Sequence, residues 1–142
     1  MPSLTWELDA IARCATQYRT EMLAPLGLKS CHASYLLQIC KNPGISQEQL
    51  ARRIYFNKSS VARQLAVLEE AGFIRRTTSE TDRRVTQLFP TDKAIALLPQ
   101  IRQVLLDWED LITQGLSPQE QTALREMLLK LKDLAARRVQ PD

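Results

Sequence analysis

Two helix-start signals stand eleven residues apart in the middle of the chain, and a β-rich run follows close behind. Ser46-Gln47-Glu48-Gln49 has the form of a capping box, in which the Ser hydroxyl and the Gln carboxamide satisfy each other's orphan amides. Asn57 is a second N-cap, and Gly72 stands where a helix from 57 stops. The signals predict a short helix with Leu50, Ala51 and Ile54 inward, a connection at Tyr55-Phe56, and a helix of about four turns ending at Ala71. Val61, Leu65 and Leu68 give that helix a buried stripe. At about 100° per residue the opposite side carries Ser59, Arg63, Ala66 and Glu70, flanked by Lys58 and Gln64.

The pattern then changes. Residues 73–78 and 85–89 are rich in β-formers, and the polar run Ser79-Glu80-Thr81-Asp82-Arg83-Arg84 separates them. This predicts a two-stranded hairpin with a charged tip, closed by Pro90, with Thr91 capping the next helix. Upstream, Leu4, Leu8, Ile11, Ala15, Tyr18 and Met22 form one helical stripe that ends at Pro25 and Gly27. A second helix, capped near Ser30, carries Tyr35, Leu36, Leu37, Ile39 and Cys40 and stops at Asn42-Pro43-Gly44. Downstream, a helix from about Asp92 to Gln114 has two apolar rows and an internal Pro99, and Gly115 ends it. Ser117-Pro118-Gln119-Glu120 opens a last, leucine-rich helix. The expected fold is mainly α with a small β-hairpin wing: a winged helix-turn-helix within six helices.

The net charge of +3 is uninformative until it is located. Between Arg52 and Arg84 there are eight basic residues and four acidic ones, a net of +4 that leaves −1 for the rest of the chain. Positive charge concentrated on one capped helix and one hairpin tip fits an anionic partner. An α-helix fits the DNA major groove, where Arg63 suits a guanine edge and Gln64 an adenine. Asn57, Lys58, Ser59 and Ser60 sit at a helix N-terminus, where amides and dipole favour phosphate. Arg83 and Arg84 on the hairpin tip suit the narrow, electronegative minor groove.

Other classes fare worse. There is no Gly-rich phosphate loop or nucleophile elbow, and His32 is the only histidine, so enzymatic chemistry is not expected. Cys14, Cys31 and Cys40 form neither a disulfide framework nor a metal-ligand spacing. Neither a metal nor another cofactor is therefore expected. No membrane span or signal peptide is apparent, which gives an expected cytoplasmic location. A helical protein-interaction module is the rival from a different class, but its wing would not need the +4 block.

These helices and this hairpin resemble the MarR family of bacterial winged helix-turn-helix regulators over nearly the whole chain. The most specific part is Leu68-Glu69-Glu70-Ala71-Gly72-Phe73-Ile74-Arg75-Arg76, then Asp82-Arg83-Arg84 and Leu88-Phe89-Pro90-Thr91. The family pattern has Leu where this chain has Pro90 and Gly where it has Ala94. Both departures touch the hairpin exit. The resemblance implies a wing in which Asp82 orients Arg84 for the minor groove. It also implies an interlocked homodimer, with residues 30–91 as the DNA-binding part and 1–29 and 92–142 as the dimerisation part. Its target would be a pseudo-palindromic promoter operator, and its action repression released by a small phenolic or anionic effector. The region implied for the effector involves Arg13, Tyr18, His32, Tyr35 and Trp108. Peroxide-sensing relatives offer an alternative, a repressor switched by a reactive cysteine. Cys14 is the candidate, although it lies more than a turn beyond their sensing position.

Overall fold

The structure, a computed structural model, describes residues 3–141. These residues form six α-helices and three strands: α1 Leu4–Leu23, α2 His32–Lys41, β1 Ile45–Ser46, α3 Gln47–Ile54, α4 Lys58–Glu70, β2 Ile74–Thr78, β3 Thr86–Pro90, α5 Asp92–Ile112 and α6 Pro118–Val139. A single 3₁₀ turn, Ala24–Leu26, follows α1. The chain divides into two compact units, the first ending at Leu105 and the second beginning at Leu106, so the boundary falls inside α5.

Local chemistry explains where the helices start. Ser46 and Gln49 exchange the two hydrogen bonds of a capping box at α3, and Ser117 and Glu120 do the same at α6 with Pro118 in the first turn. Asn57 Oδ1 accepts from the Ser60 amide at 2.7 Å and opens α4. α4 ends through Gly72, whose φ of +83° is a left-handed conformation that glycine adopts without steric cost. Between α3 and α4, Tyr55 also takes a left-handed conformation, with φ of 61°. Its amide and that of Phe56 both turn back to the Ala51 carbonyl.

The core of the first unit lies beneath α4. Val61, Leu65 and Leu68 are buried against residues that include Leu36 and Ile39 of α2, Leu50 of α3, Phe73 and Ile74 at the start of β2, Leu88 of β3, and Ala94 and Ile101 of α5. The sheet orders its strands β1-β3-β2, all antiparallel. Register places Arg76 opposite Leu88 and Thr78 opposite Thr86. In the second unit, α6 buries none of its residues. Glu109 and Arg125 are paired there, and Leu124, Met127, Leu128, Leu131 and Leu134 are exposed.

Three expectations need correction. The hairpin is part of a three-stranded sheet, because Ile45 pairs with Leu88 and Ser46 with Gln87; a two-residue strand is too short to show alternation. The cap of α2 falls at Cys31 rather than Ser30, and no side chain caps it. The turn is closed by His32 instead: its amide donates to the Lys29 carbonyl, and its ring accepts from the Lys29 amide. α5 ends at Ile112, two residues before Gln114.

Leu65 is fully buried whereas the Ser46 cap is at the surface. Leu65→Ala is therefore expected to lower unfolding free energy by about 2–5 kcal/mol, and Ser46→Ala by about 1 kcal/mol. Urea titration followed by circular dichroism measures both.

Candidate nucleic-acid interface

α4 presents a largely polar outer face because Val61, Leu65 and Leu68 are turned inward. Ser59, Arg63, Ala66 and Glu70 are exposed, as are Asn57 and Lys58. Ser60 is half-buried, and its hydroxyl accepts from Arg63 Nη2 at 3.2 Å. Lys58 Nζ is 3.3 Å from Glu48 on α3, with both side chains well exposed, so this pair is weak and easily exchanged for another anion.

The tip between β2 and β3 is built by backbone and side-chain bonds together. Buried Ser79 accepts from the amides of Thr81 and Asp82, and the Val85 amide donates to the Asp82 carbonyl. Asp82 Oδ1 then accepts from the Arg84 amide at 3.0 Å and from its Nε at 3.1 Å, while Oδ2 accepts from Nη2 at 3.2 Å. These bonds from Arg84 hold the Asp82 carboxyl below its usual pKa. The Arg84 side chain remains 90% exposed, so it is oriented without being covered. Arg83 is exposed beside it. Lys58 and Arg84 line the same hollow of about 220 Å³, with Ser46 and Thr86. Two cations predicted separately thus converge on one concavity.

Sequence reading missed the braces that set α4 relative to the wing. Glu69 near the end of α4 accepts from the Arg76 amide at 3.1 Å, from Nε at 3.2 Å and from Nη2 at 2.9 Å. The same contacts keep the Glu69 carboxyl below its usual pKa, led by the side-chain bonds to Arg76. Lys93 Nζ on α5 donates to the Ala71 carbonyl at 2.7 Å and lies 4.4 Å above the Phe73 ring. Thr91 Oγ1 donates to the Gly72 carbonyl. Only the charges of Glu69 and Arg76, on either side of the Gly72 stop, signalled any of this.

Gln64 and His32 meet. Gln64 is half-buried, and its Oε1 lies 2.8 Å from His32 Nε2. His32 itself is only 2% exposed, and burial lowers its pKa. Tyr35 is buried beside it, edge-on to the His32 ring and stacked on Phe56; burial pushes its hydroxyl pKa up to about 12. Of the other effector candidates, Arg13 is exposed and Tyr18 half-buried in the first unit, while half-buried Trp108 lies in the second. Cys14 is exposed on α1, and burial raises the pKa of Cys31 and Cys40. Among the described residues no group of three His, Cys, Asp or Glu is placed to hold a metal ion, and no helix is long and apolar enough to cross a membrane.

Comparison with known proteins agrees with this architecture. Residues 26–85 match the MarR family. The chain is 28% identical over 132 residues to the HTH-type transcriptional regulator YybA of Bacillus subtilis (strain 168), covering 93% of this chain and 88% of that protein. A MarR family transcriptional regulator from Listeria monocytogenes, solved in complex with a 26-mer DNA, superposes with a TM-score of 0.90 at 26% identity, over 96% of this chain and 91% of that one. A crystal structure of MarR matches at 32% identity with a TM-score of 0.86, over 95% of this chain and 92% of the other. With 32% identity sustained over 95% of this chain and 92% of the other, this protein belongs to the MarR family of winged helix-turn-helix transcriptional regulators.

Proposed function

We propose that the chain is a sequence-specific repressor that binds a pseudo-palindromic promoter operator in the cytoplasm as a homodimer. One observation carries the reading. The exposed face of α4 and the oriented, uncovered Arg84 of the wing are fixed on one scaffold by the Glu69–Arg76 contact. Arg63 has the reach and donor geometry for a guanine edge in the major groove. Asn57, Lys58, Ser59 and Ser60 meet phosphate at the α4 N-terminus. Arg84, with Arg83, enters the adjacent minor groove, and Asp82 sets its direction. Gln64 lies at the edge of this surface with its carbonyl oxygen turned to His32. The complex of the Listeria monocytogenes relative with DNA supports the partner class.

The dimer is supported by what the helices leave uncovered. Leu4, Leu8 and Ile11 of α1 are exposed, and α6 exposes Leu128, Leu131 and Leu134. Rows of large apolar side chains left exposed along a helix mark an association site. Residues 1–29 and 92–142 then form the dimerisation part and 30–91 the DNA-binding part. A twofold axis places the two α4 helices on half-sites about 34–36 Å apart. Operator occupancy excludes the transcription machinery, which is repression.

Release by a small anionic or phenolic effector is favoured by one specific feature: Arg19 Nε on α1 is buried without a hydrogen-bond partner. Buried donors are ordinarily satisfied, and a carboxylate or phenolate supplies the missing acceptor.

In vitro selection of bound duplexes tests the main reading and is expected to return an inverted repeat. Against that duplex, Arg84→Ala weakens binding to all sequences alike. Arg63→Ala relaxes preference at one base pair by about 1–3 kcal/mol. Wild-type affinity in both variants overturns the docking. Aromatic carboxylates are expected to release the duplex from wild-type protein and to lose that effect in Arg19→Gln, as read by fluorescence anisotropy.

A further inference from the structure

We propose that His32 is a positioning residue for DNA recognition, its ring Nε2–H holding Gln64 Oε1 and so fixing the setting of α4 on α2. The inference rests on the reading of α4 as the DNA-contacting helix and adds a residue that contacts no DNA.

The hydrogen bonds determine the form of the ring. The Lys29 amide can only donate, and it points at His32 Nδ1 from 3.0 Å. Nδ1 is therefore the acceptor, and the proton resides on Nε2, which donates to Gln64 Oε1 at 2.8 Å. The partners are 32 positions apart in sequence and join two helices. The pair is protected: His32 is 2% exposed, Tyr35 abuts its ring edge-on, and Tyr35 is itself stacked on Phe56 in the α3–α4 connection. One α4 side chain is thus tied to the closed turn at the start of α2, and the aromatic cluster beside it reaches the residue before the Asn57 cap.

This placement changes the role of Gln64. Reading adenine bidentately requires a side chain that swings freely into the groove and offers both an acceptor and a donor. Gln64 stands next to the buried stripe, not opposite it, and its acceptor is engaged within the protein. It acts as a brace first, and the bases are left to Arg63 on the outer face.

Nε2 keeps its proton in either form of the ring, so the brace depends on pH through its seat at Lys29, which requires a neutral ring. A second proton on Nδ1 would face the Lys29 N–H, donor against donor. The groups facing His32 are the Lys29 amide and ammonium in the preceding turn, Tyr35 on its own helix and Gln64 on α4; the largest influence on the ring is burial. Both burial and Lys29 lower its pKa, while Gln64 opposes them. Because the folded pKa is depressed, the brace is intact above the ordinary histidine value of 6.5 and is lost as pH falls through the lower folded value.

Three variants separate this role from general packing. His32→Asn keeps an acceptor for the Lys29 amide but is too short to reach Gln64. His32→Gln supplies an amide N–H at the reach of Nε2. Gln64→Met removes the acceptor and leaves His32 bonded to Lys29. Binding is measured by anisotropy on the duplex recovered by selection and on a random duplex of equal length, alongside thermal melts. His32→Asn and Gln64→Met are each expected to weaken binding of the selected duplex about five- to tenfold relative to the random one. His32→Gln stays near wild type, and the double variant His32→Asn/Gln64→Met is no weaker than either single one. On acidification below 6.5, wild type loses preference for the selected duplex and His32→Gln does not. Equal binding by wild type, His32→Asn and Gln64→Met overturns the inference, as do additive losses in the double variant or identical pH profiles for wild type and His32→Gln. If wild-type protein prefers no duplex at all, the DNA-binding reading fails instead.

Discussion

Glu69 accepts three hydrogen bonds from Arg76, one from the backbone and two from the guanidinium. The angle between α4 and the wing is set largely by this contact. The chain reverses between these residues through Gly72, and a turn alone leaves the strand free to swing. A charge-assisted contact in which Nε and Nη2 share Oε1, with the amide on Oε2, removes that freedom. α5 completes the joint from the other side, with Lys93 on the Ala71 carbonyl and Thr91 on the Gly72 carbonyl. The carbonyls just past the end of α4, which the helix itself cannot satisfy, thereby become attachment points for the start of α5.

The two ends of α4 are held by different chemistry. At the start, Asn57 caps the helix and the His32–Gln64 bond ties its second turn to α2. At the end, ionic contacts and a cation over Phe73 fix it to the sheet and α5. Between them the apolar stripe of Val61, Leu65 and Leu68 supplies most of the burial but little directional information, since hydrophobic contact is non-directional. Polar contacts at both ends convert a well-buried helix into a well-aimed one.

How much the sequence displayed depends on the range of each interaction. Ser46, Asn57, Gly72 and Ser117 act on amides and carbonyls a few residues away, so their effects were legible without a fold. The β-formers of 85–89 and the stripe of α4 were legible for the same reason. Strand β1 was not, because its two residues gain their identity only from Leu88 and Gln87 across the sheet. His32 looked like an isolated histidine near a helix start, and Gln64 like a free side chain on a helix flank. Nothing local to either reports a bond to a partner 32 positions away. The charged wing tip was easier, since Asp82 and Arg84 are two residues apart and meet directly.

The pairing of the basic block bears on how the protein distinguishes its site from bulk DNA. Arg76 is held by Glu69, Arg75 lies over Phe89, Lys58 is near Glu48, and Arg84 is bonded to Asp82. Counterion release depends on cations that meet phosphate with their charge unspent. Arg76 and Arg84 are thus partly neutralised before DNA arrives. The affinity this surface draws from the DNA polyelectrolyte is smaller than its charge count suggests. A larger share must come from contacts made only when groove shape and base sequence fit, which weakens retention on the excess of random sequence in a genome.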